Sequence, residues 1–182
     1  QHLGKLQHNK TIVVDGPKVK LAIGGSTNFS WRGLYVQSNN AVIVRGARAI
    51  APFQAAFEQY WASDSAKDFG LSAAATWTPL GLRGIDARVT FSPHSASNAA
   101  LADIADDIAS TKSSLFFSLA FLYQTPGAIR DAIAEVSKKK SIFVYGVSDR
   151  KVGGLDLRKP DGTVSVVTPA PASAAGATTL TV

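Results

Sequence analysis

Two apolar stretches flank the tripeptide Asp15-Gly16-Pro17, and this arrangement constrains the fold more than any other feature of the chain. Asp-Gly-Pro is a turn sequence on its own account, so residues 5–14 and 19–23 read as two strands of a hairpin-like unit. Side chains alternate between the faces of a strand, so His8 and Lys10, two positions apart, point the same way and can meet one ligand. Asp15 is an odd number of positions from His8 and falls on the other face, as an orienting group rather than a phosphate ligand. Gly24-Gly25 supplies a backbone that can turn tightly or approach a ligand closely. Ser26 and Asn28 then repeat the same-face spacing of two. An imidazole, an ammonium, a hydroxyl and an amide that converge suit a phosphodiester: the imidazole attacks phosphorus while the others bind the non-bridging oxygens on which charge builds. Taken singly, Lys10 is an ordinary lysine, Asp15 a turn residue, and Ser26 and Asn28 turn caps. Their common register favours a site.

Other chemistries fail against the same residues. Gly24-Gly25-Ser26 lacks both the closing glycine of a G-x-S-x-G elbow and the Gly-Lys-Ser/Thr ending of a P-loop. His2, His8 and His94 show no metal-ligand spacing, and the absence of cysteine excludes disulfides and thiolate metal sites. No cofactor is expected, and the mechanism expected is metal-free. His94 has no lysine two places on and reads as a loop histidine able to line a cleft. The net charge of +6 suits a polyanion, nucleic acid or an anionic membrane surface, but its densest run, Lys138-Lys139-Lys140, sits where a helix end and solvent explain it. The longest strongly apolar run, residues 115–123, is far short of the ~20 residues that cross a bilayer, so no transmembrane span is expected. The compartment stays open. With no methionine in the chain, Gln1 is not a translation start, and a processed or partial form is expected.

Along the chain, residues 29–35 read as a loop, 41–45 as a short buried strand and 49–61 as a helix. Its apolar stripe is Ile50, Phe53, Phe57, Tyr60 and Trp61. Residues 62–88, rich in Ala, Ser and Gly, read as a connector. Val89-Thr90-Phe91-Ser92-Pro93 opens a second unit with a strand, followed by a helix from about Ser97 and a central strand over 115–123. Thr125 and Pro126 start a further helix, with Ile129, Ile133 and Val136 on its buried face, and 141–147 form the next strand. Such alternation implies an α/β class, a mixed or parallel sheet flanked by helices. Beyond Val152 the reading is a turn at Lys159-Pro160-Asp161-Gly162, a strand over 163–167 and a low-complexity stretch over 169–179.

The pattern H-x-K-x(4)-D followed by G-S-x-N resembles the HKD signature of the phospholipase D superfamily, and His8, Lys10, Asp15, Gly25, Ser26 and Asn28 match it one for one. Two features differ: a longer spacer between Asp15 and Gly25, and Asn39-Asn40-Ala41 where many members carry Asn-x-Glu. The second unit resembles the opening half of the same superfamily's repeat, through Phe91-Ser92-Pro93, Ile129-x-x-Ala132-Ile133 and Phe143-x-x-x-Val147-x-Asp149. The resemblance implies a phospholipase D-like fold of two pseudo-repeats, each incomplete here. Residues 1–61 are the closing half of one, 62–88 a connector, 89–168 the opening half of the next, and 169–182 a tail or linker. It implies a phosphodiesterase with catalytic His8, Lys10 and Asp15 and phosphate-binding Lys10, Ser26 and Asn28. The substrate is nucleic acid or phospholipid. In the family two such motifs meet, one histidine forming a phosphohistidine and the other acting as acid and base. His8 can take either role, with a second His-x-Lys segment as its partner. The alternative is an inactive phosphate-binding or structural module of the same type.

Overall fold

The structure is a computed structural model that describes residues 8–37, 39–95, 100–124, 126–148, 157–158 and 164–165. The class is mixed α/β, and the chain forms two compact units, Gln1–Ala100 and Leu101–Val182. In the first, β1 (Thr11–Asp15), β2 (Lys20–Gly25) and β3 (Ala41–Arg45) form an antiparallel sheet in the order β1-β2-β3. The Asp15-Gly16-Pro17 turn closes with the Gly16 N–H donating to the Val19 carbonyl at 2.8 Å, and Asp15 pairs across the ladder with Lys20. Of the strand expected over 5–14, residues 5–7 lie outside the described residues, and the paired strand begins at Thr11. The expected loop over 29–35 contains a short helix, α1 (Trp31–Tyr35). Ser30 caps it by accepting the Gly33 N–H at 3.1 Å, a local bond that converts a loop sequence into one helical turn.

Helix α2 (Ala47–Ala62) lies across one face of the sheet. Val13, Ala22 and Val44 form one row in register across the three strands, and this row packs with Ala49, Ile50 and Phe53. Phe57 and Trp61, expected on the buried stripe, are 66% and 75% exposed. The buried line runs through Ala49, Ile50, Phe53 and Ala56, with Tyr60 half-buried one turn on. Two of those four are alanines, too small to stand out in a search for large apolar residues.

Residues 64–95, expected as a connector and the start of a second unit, pack onto the first. They contain α3 (Ala66–Gly70), a 3-10 turn at Ala73–Ala75, and the antiparallel pair β4 (Thr78–Pro79) and β5 (Arg88–Val89). Leu80 enters the core, with Leu82, Ala87, Val89 and Phe91 against it. Phe91 meets Phe53 edge-on at 5.2 Å. Tyr60 closes this side: its ring stacks on Phe69 at 4.1 Å, and its hydroxyl donates to the Ser92 carbonyl at 2.5 Å while accepting from the Asn9 amide.

In the second unit, α4 (Ala100–Ala109) leads to β6 (Ser114–Ser118), and α5 (Ala128–Ser137) crosses over to β7 (Phe143–Val147). β6 and β7 pair in parallel, Leu115 opposite Val144 and Phe117 opposite Gly146. Leu115 and Phe117 pack with Ile108, Leu122, Ile129 and Ile133, whereas Phe116 and Tyr145 face outward and are exposed. The central strand expected over 115–123 therefore ends at Ser118, and Leu122–Gln124 form a 3-10 turn. Helix α5 is capped by Gly127. The expected cap Thr125, the helix start at Ser97, Asp149, the turn at 159–162 and the stretch 169–179 lie outside the described residues. β8 (Leu157–Arg158) and β9 (Val164–Ser165) form a short antiparallel pair, the second within the strand expected over 163–167.

Two outcomes test this packing. Tyr60→Phe removes the bridge between Asn9 and Ser92 while keeping the stacked ring, and is expected to cost about 1–2 kcal/mol in urea unfolding. An unchanged midpoint would show that the hydroxyl holds nothing. Asp15, held by the Lys20 ammonium and the Gln54 amide (2.9 Å), has its carboxyl pKa lowered below the ordinary 3.8, the Lys20 hydrogen bond being the larger cause. Its stabilising contribution is full above that ordinary value and is lost as the pH falls through the lower folded value. The melting-temperature gap between wild type and Asp15→Asn is thus expected to be steady near about pH 6 and to close by about pH 2; a gap independent of pH would refute the assignment.

Candidate functional site

The start of β1, the Gly24-Gly25 end of β2 and the strand β5 border a cleft of about 430 Å³. His8, Lys10 and Thr11 line it from the first segment, and Gly24 and Gly25 from the second. Its walls are Val42 and Val44 of β3, Phe53 of α2, and Leu80, Val89 and Phe91, with Arg88 among them. His8 is exposed and Lys10 half-buried, and the Lys10 ammonium donates to the His8 carbonyl at 2.5 Å. Between them, Asn9 reaches the Tyr60 hydroxyl, so the residue separating the two functional groups ties their backbone to α2. Burial of Tyr60 raises its pKa above the ordinary phenol value of 10.0, with the Asn9 bond acting in the other direction.

The Gly25-Ser26-Thr27-Asn28 loop is fastened to Asn39 and Asn40. The Ser26 N–H donates to the Asn40 carbonyl at 3.0 Å, the Asn40 N–H returns a bond to the Ser26 hydroxyl at 3.0 Å, and the Thr27 hydroxyl donates to the same carbonyl at 3.0 Å. The Ser26 hydroxyl proton goes to the Asn39 side-chain oxygen at 3.3 Å, and the Asn39 amide in turn reaches the Gly33 carbonyl at 3.0 Å. Two glycines make this closeness possible. A Cβ on Gly25 would overlap the Asn40 carbonyl, and one on Gly33 would overlap the carbonyl of Asn28. The Asn28 carbonyl also accepts the Ser30 N–H at 2.8 Å, which leads the loop into α1. Asn39 and Asn40, which stand where many phospholipase D-like chains carry Asn-x-Glu, act here as the loop's fasteners.

The structure thus brings His8, Lys10, Gly24 and Gly25 to one cleft. Ser26 and Asn28 follow directly in the chain but do not line it. Asp15 sits at the far end of β1, bonded to Lys20 and Gln54 rather than to the histidine. His94 does not line the cleft either: its Nε2 lies 2.9 Å from the Thr90 hydroxyl, and burial lowers its pKa from the ordinary 6.5. Sequence reasoning missed Asn9, Tyr60 and Arg88. Asn9 and Tyr60 lie 51 positions apart, so no local spacing could pair them. Arg88 carried a faint signal, a lone cation in the alternating run Arg88-Val89-Thr90-Phe91.

Among the described residues, no group of three or more His, Cys, Asp or Glu side chains could hold a metal ion, and no helix is long and apolar enough to cross a membrane. No curated protein and no solved structure gives a match to the chain. Residues 1–61 match the family described as cardiolipin synthase, PLD-like domain. That stretch contains His8, Lys10, Asp15, Ser26 and Asn28, and it ends within α2. Over residues 1–61, about a third of its length, the chain is thus similar to the phospholipase D-like domain that the HKD pattern resembles.

Proposed function

We propose that the chain is part of a phospholipase D-like phosphodiesterase in which His8 and Lys10 act on a phosphodiester bound in the cleft. The observation that carries this reading is that the two motif side chains and the Gly24-Gly25 backbone border one cavity, within the segment that matches the phospholipase D-like family. With His8 as nucleophile, its ring nitrogen forms a bond to phosphorus and the P–O bond to the leaving group breaks. A second imidazole gives its proton to the departing oxygen. That imidazole then takes a proton from water, whose oxygen displaces the histidine nitrogen and releases the phosphomonoester. Lys10 stabilises the charge that develops on the non-bridging oxygens. Ser26 and Asn28, which follow Gly25 but do not line the cleft, add a hydroxyl and an amide once their loop turns toward the ligand, Ser26 exchanging its bond to Asn39 for one to phosphate. Asp15 serves as a positioning residue that holds the hairpin against α2. The chain contains a single His-x-Lys, at His8, so the second imidazole belongs to another segment or chain.

Both substrate classes, nucleic acid and phospholipid, present the same diester. The whole protein is expected to hydrolyse bis(4-nitrophenyl) phosphate with no metal added, and His8→Ala is expected to lower turnover on the order of 10³-fold or more. Activity that survives His8→Ala would sink the assignment. Lys10→Ala is expected to lower kcat/KM about 10²–10³-fold, with kcat falling as well as KM rising, because charge on the oxygens grows toward the transition state. Acid-quenched protein carrying 32P on His8 separates an enzyme from a module that binds the diester without turnover.

A further inference from the structure

We propose that Asn9 and Tyr60 form a positioning device for the reaction, holding His8 and Lys10 in place through the backbone between them; this rests on the phosphodiester reading above. The need for such a device is set by the sheet. Pairing of β1 with β2 begins at Thr11 opposite Gly24, so the segment that carries His8 and Lys10 lies before the first bonded pair. The bond from the Lys10 ammonium to the His8 carbonyl joins two positions of that same segment and does not tie it to the rest of the unit. Asn9 supplies the tie. Its amide donates to the Tyr60 hydroxyl, 51 positions away on the last turn of α2.

The far side of this bond is firm and directional. The Tyr60 ring stacks on Phe69 at 4.1 Å, and Phe69 is fully buried. A phenol has a single proton, and Tyr60 gives it to the Ser92 carbonyl at 2.5 Å, so towards Asn9 its oxygen can only accept. The Asn9 NH2 group meets that requirement, which fixes the way its amide points. Asn9 borders the cleft, yet this donor is turned to Tyr60. Phe69 and Ser92 lie beyond residues 1–61, the segment that matches the family, so the motif side chains are held by a part of the chain that the HKD pattern does not contain. In-line attack on phosphorus is sensitive to such placement, and a displacement of about 1 Å costs on the order of 10²-fold in rate. Lys10 reaches its oxygen on a flexible stem that absorbs a small backbone shift, whereas the short side chain of His8 carries the shift straight to its ring. Loss of the tie therefore falls on the chemical step more than on binding.

The test is steady-state hydrolysis of bis(4-nitrophenyl) phosphate by the whole protein, with kcat and KM measured separately. Wild type, Asn9→Leu, Tyr60→Phe, the double variant and His8→Ala are compared at a temperature where the melting curve of each shows it fully folded. Asn9→Leu keeps the size of the side chain without its donor, and Tyr60→Phe keeps the stacked ring. The expected result is a kcat lowered about tenfold to 10²-fold in each single variant, a KM within about twofold of wild type, and no further loss in the double variant, because either change opens the same bond. A double loss equal to the product of the single losses would overturn the pairing. A raised KM at unchanged kcat would make Asn9 a ligand contact and overturn the positioning role. Wild-type kcat in both single variants, with His8→Ala inactive, would overturn the inference and leave the phosphodiester reading standing. If wild type shows no turnover that His8→Ala removes, that reading fails, and this inference with it.

Discussion

The first unit depends on the close approach of one helix to one face of an antiparallel sheet. Ala22, Ala49 and Ala56 are almost fully buried there, and Gly24 lies beneath the Phe53 ring. Small residues on both sides let α2 settle onto the β1-β2-β3 sheet, and the aromatic rings of Phe53 and Phe91 then fill the end of the layer. Because interiors are packed near crystal density, little slack remains for the helix to shift. Everything at the candidate site is referred to this contact. Phe53 forms a wall of the cleft, Gln54 holds Asp15, and Tyr60 holds Asn9.

Much of the first sheet was legible because its determinants are local. A turn tripeptide between apolar runs fixes a hairpin. The parity argument that sets His8 and Lys10 on one face and Asp15 on the other presumes a strand through residue 8, whereas the paired strand begins at Thr11, and Asp15 and the cleft both meet α2, through Gln54 and Phe53. What could not be read is long-range or hidden by small side chains. The composition of residues 62–88 gives no sign that Leu80 enters a core, since its partners, Ala22, Val44 and Ile50, lie 30 or more positions away in the sequence. Helix α1 was missed because Ser30 followed by Gly33 reads as loop chemistry until the cap bond forms. The apolar stripe of α2 was misjudged at Phe57 and Trp61 because large side chains were counted and alanines were not.

Within the cleft, the balance of charge says more than the number of charges. A surface lysine in water is screened within roughly 8–10 Å and exerts little pull on a partner. Lys10 is half-buried beside apolar walls, and the nearest carboxylate described on its own strand, Asp15, is committed to Lys20 at the other end. The sheet thereby keeps its acid–base pair away from the basic cleft. An acid placed at the Gly25 end instead would neutralise the cation before any ligand arrived.

The Tyr60 hydroxyl has a directional consequence. Only the neutral phenol can donate to the Ser92 carbonyl, and burial favours that form beyond the ordinary phenol range. Since the folded value lies above the unfolded one, this support is complete below about pH 10 and fades as the solution becomes more alkaline. Asp15, at the opposite end of β1, fades in acid. The motif strand is thus fastened by two titrating clasps whose failure ranges lie at opposite extremes, an acid floor set at one end and an alkaline ceiling at the other.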